Sequence, residues 1–497
     1  MELLLLVLLG LITYLIVQRS VASITKTPVW ILWLVMMTPA LIWTVWTVLV
    51  DSEAIPVPLM VIPFVVCPIL YWLLIQWGRP KLEKAEKETT SESEEEKSPE
   101  ENSPEDLPSK VRPITQNEEK QLRNCFPWSI YYLQNLDYRP QAILCLGKLR
   151  SNPDVAYKTV KENVEEKFGD RFLLIFQEGL KNQPFFALVP NPWSKSTPSK
   201  LAQEPLKRPG LALGLLIVTL FTTTTVGISL VGKNIEDVAI DSSTLWLGFT
   251  YSLALIFILS IHEIAHYFAA LRYKIRTTLP YFIPMPVFLG TFGAFTQRRS
   301  PIPHRKALFD VAIIGPLVGF LVTLPILIGG LSLSEVVPLT EESGILNYES
   351  LNPRKSFLLA VLSKLCLGSE LSANMAIHLH PLAVAGCLGL VVTAINLLPI
   401  GQLDGGQMVH AMFGQRTAAF IGQVTRLLLL LLAWADAKRD LLIVAIVLLF
   451  LPLTDEPALN DVTDLDSRRD FLGLFSLAIL CTILLPLPGA VAGWLGI

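Results

Sequence analysis

Two histidines and a glutamate, the residue types of a zinc hydrolase site, lie within five consecutive positions of the chain. His262, Glu263 and His266 form a His-Glu-x-x-His pattern. On a helix, positions i and i+4 share a face, so both imidazoles can bind one zinc ion. Glu263 is then placed to act as the base for a water molecule beside the ion. The pattern indicates metal-assisted hydrolysis.

The segment that carries this pattern is apolar enough to cross a membrane. Residues 245–259, shortly before it, are mostly Leu, Ile, Phe, Ala and Trp. In a polar helix such a pattern arises by chance about as often as by function. Inside a membrane helix, however, each ionisable side chain costs about 2 kcal/mol or more unless it is paired or ligated. We therefore expect a compensating metal ion.

The composition is that of an integral membrane protein. Of the 497 residues, 52% are hydrophobic and 17% are charged. The net charge of -3 gives no reason to expect nucleic acid or another polyanion as a partner. The cysteines form no C-x-x-C pair and are interpreted as core residues rather than disulfides or metal ligands. They are Cys67, Cys125, Cys145, Cys366, Cys387 and Cys481.

Composition shifts divide the chain into four predicted regions. Residues 1–79 are predicted to be N-terminal transmembrane helices, and 80–119 an acidic disordered linker. Residues 120–195 are a small soluble α/β domain, and 209–497 an intramembrane domain whose motifs predict a zinc metallopeptidase. The N-terminus lacks the positive region of a secretory signal, so we expect a retained first span. In the soluble domain, strands are predicted at 141–146, 171–176 and 184–189, with a helix that Asn152 caps and Pro153 begins.

The predicted fold is a mainly α polytopic membrane protein of roughly ten transmembrane helices with a re-entrant loop. The soluble α/β domain is inserted between the third and fourth helices. Basic and acidic loops alternate along the chain, which predicts that this domain lies on the positive, cytosolic-type side. The predicted spans lie near 3–17, 29–50, 55–77, 210–231, 245–271, 308–331, 376–395, 417–434, 440–453 and 470–487.

The apolar segment 281–295 has basic residues on both flanks, so we expect it to enter the membrane and return on the same side. Its prolines and glycines disfavour a regular helix, and its aromatic and β-branched residues favour a re-entrant loop or hairpin that lines a cavity. A short broken helix in the core is the alternative. An extended backbone there could pair with an unwound substrate segment as an added strand.

Two histidines leave one zinc ligand to be found. The other histidines are His304, His378, His380 and His410. A carboxylate is equally suitable, because zinc accepts Asp oxygen beside two His and keeps its fourth position open. Asp404 is the best candidate, since it ends an apolar stretch that begins at Asn396. Gly405 and Gly406 would let the backbone bend and turn this carboxylate toward the metal.

The two motifs together resemble those of the site-2 protease family, the intramembrane zinc metallopeptidases of peptidase family M50. That family pairs His-Glu-x-x-His with a distant Asn-x-x-Pro-x-x-x-Leu-Asp-Gly, and both are complete here. The resemblance covers roughly 209–455 and implies a Zn²⁺ cofactor held by His262, His266 and Asp404. It also implies that Glu263 is the general base and acid, and that Asn396 binds the oxyanion.

The same resemblance implies a substrate class. Family members hydrolyse peptide bonds in or near transmembrane segments of membrane proteins, in regulated intramembrane proteolysis, so the expected partners are a single-span membrane protein and the lipid bilayer. The soluble domain is similar to that of the cyanobacterial and chloroplast branch related to ethylene-dependent gravitropism-deficient and yellow-green proteins. That branch has Gly-Asn-Leu-Arg where this chain has Gly147-Lys-Leu-Arg150. A bacterial plasma or thylakoid membrane is expected, ahead of a chloroplast membrane.

Two other functional classes fit part of the pattern. A transporter or channel could use the same ionisable residues to bind a metal or protons, but the chain has no internal repeat of the kind that such folds show. A catalytically silent membrane binding protein is the other alternative. Zinc content and cleavage of a membrane-spanning substrate would separate the three.

Overall fold

The computed structural model forms two compact units, Met1–Glu105 and Asp106–Ile497. It describes residues 28–50, 114–139, 142–179, 183–194, 208–233, 243–285, 289–340, 349–435, 440–449 and 451–497, with isolated positions at 10, 14, 63, 67, 70, 71 and 74. In the first unit, helix α1 (Val29–Val50) confirms a helix at the predicted span 29–50, whereas its crossing of a membrane stays a prediction. The spans predicted at 3–17 and 55–77 lie outside the described residues apart from those isolated positions.

The predicted linker 80–119 also lies outside the described residues, except for its last few positions. There, helix α2 (Gln116–Asn124) begins with a capping box, in which Thr115 and Glu118 each bond the other's backbone N–H. Such a box satisfies two of the four N–H groups that the first turn leaves unpaired. The Thr-x-x-Glu pattern therefore marks the start of this helix.

The domain predicted to be soluble (the soluble domain) is a four-stranded antiparallel sheet with a helix between its second and third strands. The sheet order is β1-β2-β4-β3. Strands β2, β3 and β4 confirm the three predicted strands. Strand β1 was not predicted, because its polar and charged residues interrupt the apolar alternation. The bounds are β1 Tyr131–Arg139, β2 Ala142–Leu149, α3 Pro153–Phe168, β3 Phe172–Glu178 and β4 Pro184–Pro190.

The edge strand β3 is bonded to a loop from the C-terminal half of the chain. Phe176 N–H donates to the carbonyl of Leu459 at 2.7 Å, and Asp461 N–H donates to the carbonyl of Phe176 at 2.9 Å. The hydroxyl of Thr463 also donates to Asp154 at 2.8 Å. An unpaired strand edge is thereby covered by the chain itself.

Long apolar helices form most of the C-terminal half. Four of those described are long and apolar enough to cross a membrane, and a fifth is possible if a pair bent by 74° counts as one span. The mainly helical prediction is therefore confirmed, while the total of roughly ten spans stays a prediction. The four are α4 Pro209–Ser229, α5 Ser243–Arg272, α6 Arg305–Leu331 and α10 Gln415–Ala435, and the bent pair is α12 Ser467–Leu484 with α13 Gly489–Leu495.

Shorter elements complete this half. The predicted span 376–395 begins later than expected, because His380-Pro381 starts the helix and the residue before a proline disfavours helical geometry. Residues 376–378 belong instead to a short strand. The elements are β5 Tyr281–Pro284, β6 Thr291–Phe295, β7 Glu335–Pro338, α7 Phe357–Leu367, β8 Met375–His378, α8 Pro381–Leu397, α9 Asp404–Phe413 and α11 Asp440–Leu449. Helix α6 contacts α5, α8 and α9, and α5 contacts α4 and α8.

A buried ion network fixes helix α9 to the loop that bonds the soluble domain. His410 is fully buried, and its two ring nitrogens lie 2.7 Å from Asp455 and 3.0 Å from Asp461. Arg305, also buried, donates to the carbonyl of His410 at 3.2 Å and lies 4.0 Å from Asp461. A third carboxylate, Asp464, lies 3.8 Å from Arg305 but is exposed to solvent. The two buried carboxylates balance one guanidinium and one imidazolium, so the buried part of the network is neutral when His410 is protonated.

The charge state of His410 makes stability depend on pH. Burial by itself would lower the pKa of His410, but the hydrogen bonds to Asp455 and Asp461 raise it from 6.5 to about 9. Because the folded pKa lies above the unfolded one, this contribution is complete below pH 6.5 and is lost as pH rises through about 9. We expect the melting temperature of the wild type to fall across this window.

The variant His410→Asn tests this expectation. It should lower the melting temperature strongly at pH 7, because removing one partner of a buried ion network costs about 3–5 kcal/mol. Between about pH 7 and about pH 9.5, the melting temperature of this variant should also fall less than that of the wild type. His378→Asn, at an exposed position of β8, is the control and should leave both quantities as in the wild type. Equal pH profiles for the two variants would contradict the role of His410.

Candidate metal centre

Three ligand-type side chains from two distant parts of the chain converge on one point. His262 and His266 come from successive turns of α5, and Asp404 is the first residue of α9. The Nε2 atoms of the two histidines are 3.2 Å apart, and the Oδ2 atom of Asp404 lies 3.1 Å from Nε2 of His266 and 3.7 Å from Nε2 of His262. Their ligand atoms all lie within 4.8 Å of one another.

These distances fit a tetrahedral zinc ion. Zinc bonds of about 2.0–2.1 Å place ligand atoms about 3.3 Å apart at tetrahedral angles. Two imidazole nitrogens that face each other with free lone pairs repel at this separation, and a metal ion bound by both of them removes that repulsion. The third ligand predicted from the sequence, Asp404, is therefore the one that the structure places beside the histidines.

Helix α6 sets the orientation of both histidines. Nδ1 of His266 lies 2.7 Å from the carbonyl oxygen of Val311, so Nδ1 carries the proton and Nε2 keeps a lone pair for the metal. A Cβ atom on Gly315 would lie 2.1 Å from Nε2 of His266, and one on Gly319 would lie 3.0 Å from Nδ1 of His262. Two glycines four residues apart thus make room for two histidines four residues apart.

The glycine pair predicts a graded effect on metal binding. Gly315→Ala should abolish stoichiometric zinc binding, because the added methyl group would lie only 2.1 Å from His266 Nε2 and would displace the ring. Gly319→Ala should reduce zinc content only partly, since its closest approach is 3.0 Å rather than 2.1 Å. Metal analysis of the purified variants measures both. Gly210→Ala, at a site with no atom within 4 Å of the added Cβ, is the matched control.

The Leu-Asp-Gly-Gly motif acts differently from the prediction. Gly405 and Gly406 do not bend the backbone, because they lie inside helix α9 and neither has a positive φ. Instead they allow close contact: a Cβ on Gly405 would lie 2.0 Å from the carbonyl oxygen of Leu397, and one on Gly406 would lie 2.3 Å from that of Gly401. The start of α9 therefore packs closely against the end of α8, and this packing directs Asp404 toward the histidines.

Asn396 and Glu263 complete the set of predicted site residues. Asn396, near the end of α8, has its Nδ2 atom 3.3 Å from Nε2 of His262. Glu263 is 8% exposed and accepts a hydrogen bond from the Thr296 hydroxyl at 3.0 Å. All five predicted side chains line one cavity of about 260 Å³, so the structure brings together every residue that the two motifs supplied.

The segment 281–295 forms a hairpin that borders this cavity. Strands β5 and β6 pair antiparallel, which confirms the hairpin alternative and excludes a broken helix for the described positions 281–285 and 289–295. Positions 286–288 lie outside the described residues. Ala294, Phe295 and Thr296 line the cavity from this side.

Two side chains from the long apolar helices α4 and α5 bond the hairpin near its turn. Thr222 of α4 donates to the carbonyl of Gly290 at 2.7 Å, and Tyr251 of α5 donates to that of Leu289 at 2.9 Å. Gly290 has φ +81°, and a Cβ there would lie 2.5 Å from Cα of Thr223. Glycine is therefore required at this position by conformation and by space.

The alternative histidine ligands have other roles. His304 and His380 are N-caps of α6 and α8, since their Nδ1 atoms accept from Ala307 N–H at 3.0 Å and Leu382 N–H at 3.2 Å. His410 belongs to the buried ion network, and His378 is exposed on β8. Four of the six cysteines are buried, as expected for core residues, whereas Cys366 is half-buried and Cys481 is exposed on α12.

The motifs did not reveal several residues of the site. Thr296, Gly315 and Gly319 lie outside both motifs, and so do Arg298 and Gln407, which line the cavity. The only signal for the glycines was their spacing, which repeats that of the histidines. For Thr296 there was no signal, because its contact with Glu263 depends on where the hairpin meets α5.

Comparison with known proteins agrees with this geometry. The family model Peptidase_M50, described as peptidase family M50, matches residues 250–432, which include the His-Glu-x-x-His motif and Asp404. Residues 250–432 are therefore similar to peptidase family M50, the family of the site-2 proteases. The predicted relation to zinc metalloproteases is confirmed, and the donor set fits the Zn²⁺ that this relation implies.

Curated relatives extend the match beyond the peptidase domain. A probable zinc metalloprotease EGY2, chloroplastic, of Oryza sativa subsp. indica is 28% identical over 377 residues, covering 73% of this chain and 65% of the relative. A probable zinc metalloprotease EGY1, chloroplastic, of Arabidopsis thaliana is 27% identical over 390 residues, 72% of this chain and 68% of the relative. The chain spans slightly less than two thirds of the length of the first of these. No solved structure matches.

Proposed function

We propose that this protein is an intramembrane zinc metalloprotease that hydrolyses peptide bonds in or near the transmembrane segments of membrane proteins. The observation that carries the proposal is the convergence of His262, His266 and Asp404 beside Glu263 in one cavity. The α5 helix that supplies three of these side chains is apolar and long enough to cross a membrane. Names of the curated relatives support metalloprotease activity.

The proposed chemistry assigns one task to each side chain. A zinc ion held by His262, His266 and Asp404 would act as a Lewis acid, acidifying a water molecule and polarising the scissile carbonyl. Glu263 accepts the proton of the attacking water and then delivers it to the leaving amine. The Nδ2 group of Asn396 donates a hydrogen bond to the carbonyl oxygen as that oxygen gains negative charge.

The proposed substrate route uses the hairpin. A peptide bond inside a helix is shielded by its own hydrogen bonds, so the substrate must unwind, and its freed N–H and C=O groups then need partners where water is scarce. Strand β6 borders the cavity with Ala294 and Phe295, which would let an extended substrate lie along it as an added strand. The expected substrate is a single-span membrane protein.

The proposed location is a bacterial plasma or thylakoid membrane. Four to five apolar helices of sufficient length among the described residues support a membrane protein. The curated relatives are named chloroplastic, which is compatible with a thylakoid-type membrane.

Two substitutions separate catalysis from metal binding. Glu263→Gln should keep about one zinc per chain and lose cleavage of a tagged single-span substrate by at least about 100-fold, because the amide cannot accept a proton. Asp404→Ala should lose both zinc and cleavage, because two histidines alone hold the ion weakly. Zinc analysis and immunoblots of co-expressed substrates measure the two quantities.

His380→Gln is the matched control for metal loss, since its ring caps α8 outside the cavity. It should keep zinc and cleavage. If Glu263→Gln cleaves the substrate as fast as the wild type, the proposed mechanism is wrong. If zinc content survives Asp404→Ala but not His380→Gln, the proposed ligand set is wrong.

The hydrogen bond from Thr296 to Glu263 gives a further prediction. Thr296→Val keeps the shape of the side chain but removes the hydroxyl that bonds Glu263 Oε2 at 3.0 Å. We expect kcat to fall about 10-fold at unchanged zinc content. General base catalysis accelerates a reaction by about 10²–10⁴-fold, and a misplaced base loses part of this acceleration. Thr296→Ser restores the hydroxyl and should recover most of the rate. Equal rates for the Val and Ser variants would show that the hydroxyl is not needed.

A further inference from the structure

One end of the cavity carries a positive charge that the proposed chemistry does not use. Arg298 follows the hairpin and is the only lysine or arginine among the cavity-lining residues, all of which the structure describes. The cavity also contains two carboxylates, Asp404 and Glu263, and a divalent ion at the proposed metal centre would balance their two negative charges. The positive charge of the Arg298 guanidinium then has no counter-charge among the cavity-lining side chains.

Neighbouring polar groups hold this guanidinium in place. One Nη1–H of Arg298 donates to Oε1 of Gln407 at 2.7 Å, and Gln407, which is 4% exposed, donates in turn to the carbonyl of Gln402 at 2.8 Å. Both hydrogen-bonding ends of the Gln407 amide are thereby occupied. A guanidinium has five N–H donors, so most of those on Arg298 remain available for a ligand.

A second, independent group also faces the cavity. Thr277 lines it, is 3% exposed, and its buried hydroxyl has no hydrogen-bond partner. Thr277 and Arg298 form an antiparallel β-bridge, and side chains of directly opposed residues lie on the same face of the pair. An unpaired buried hydroxyl costs free energy that a bound polar group would recover.

We infer that Arg298, Thr277 and Gln407 form a substrate subsite for an acidic side chain close to the scissile bond; the inference rests on the function proposed above. Arginine binds a carboxylate through two parallel N–H bonds, and the Thr277 hydroxyl adds a third donor. Gln407 follows Asp404 by three residues on α9, a rise of about 4.5 Å. An extended substrate advances about 3.3 Å per residue, so this distance corresponds to one or two substrate residues. The acidic residue would therefore lie one or two positions from the cleaved bond.

The test compares substrates that differ at one side chain. A tagged single-span substrate carries Asp, Asn or Lys in turn at each of the positions within three residues of the cleavage site. At one of these positions, the wild type should cleave the Asp substrate about 10-fold faster than the Asn substrate. Arg298→Gln should bring this ratio to about 1, and Arg298→Glu should favour Lys over Asp.

Each ratio is taken within one variant, so a general loss of activity does not affect it. Arg299→Gln is the matched control, because Arg299 is the next residue but does not line the cavity, and it should keep the wild-type ratio. If Arg298→Gln does not fold, Arg298→Lys is used; it keeps the charge without the two-pronged geometry and should lower the ratio about threefold.

A binding measurement complements the cleavage assay. The inactive Glu263→Gln protein should bind a fluorescent span peptide with Asp at the selected position about 10-fold more tightly than its Asn counterpart. Adding Arg298→Gln should remove the difference. Equal affinities for the two peptides, or an Asp preference that survives Arg298→Gln, would overturn the subsite.

The outcomes also separate this inference from the proposed function. Cleavage of Asp and Asn substrates at equal rates at every position would remove the subsite and leave the protease assignment intact. If the wild type cleaves none of these substrates beyond the level of Glu263→Gln, the proposed function fails, and the subsite fails with it.

Discussion

The structure depends on placing two imidazoles and two carboxylates together in an apolar interior. Unpaired, such groups would oppose folding, so each one has a partner: His266 bonds the carbonyl of Val311, Glu263 bonds Thr296, and Asp404 lies against the histidines. The remaining charge imbalance is removed by a cation at their common point. Helices α5, α6 and α9 must therefore approach closely, and glycines occur at the contacts where a side chain would prevent this.

The hairpin meets a related constraint in a different way. Irregular backbone at membrane depth is tolerated only where its polar groups find partners or face a cavity. Here the backbone N–H and C=O groups of β5 and β6 bond one another, and β6 borders the cavity. The side chains of Thr222 and Tyr251 donate to carbonyl oxygens near the turn. The contacts that stabilise the hairpin also bring Thr296 to Glu263, so the support of the hairpin and the placement of the base depend on the same packing.

The soluble domain is joined to the metal-bearing part of the chain by hydrogen bonds as well as by sequence. The loop residue Asp461 bonds strand β3 through its backbone and His410 of α9 through its side chain. Asp404 begins the same helix. Because the network around His410 is buried and neutral only when the imidazole is protonated, the junction is more stable at neutral than at alkaline pH.

The sequence by itself determined the elements with strong local signals. The His-Glu-x-x-His spacing identified one face of α5, the Asn-Pro pair marked the start of α3, and apolar runs located α4, α5, α6 and α10, because each of these depends on residues close in the chain. The tertiary structure alone decided which distant groups meet. Thr296 beside Glu263, Gly315 beside His266, the close packing at Gly405 and the position of Arg298 on the cavity follow from helix and hairpin approach. A local pattern does not specify such approaches, since they are set by long-range packing and by the need to pair buried polar groups.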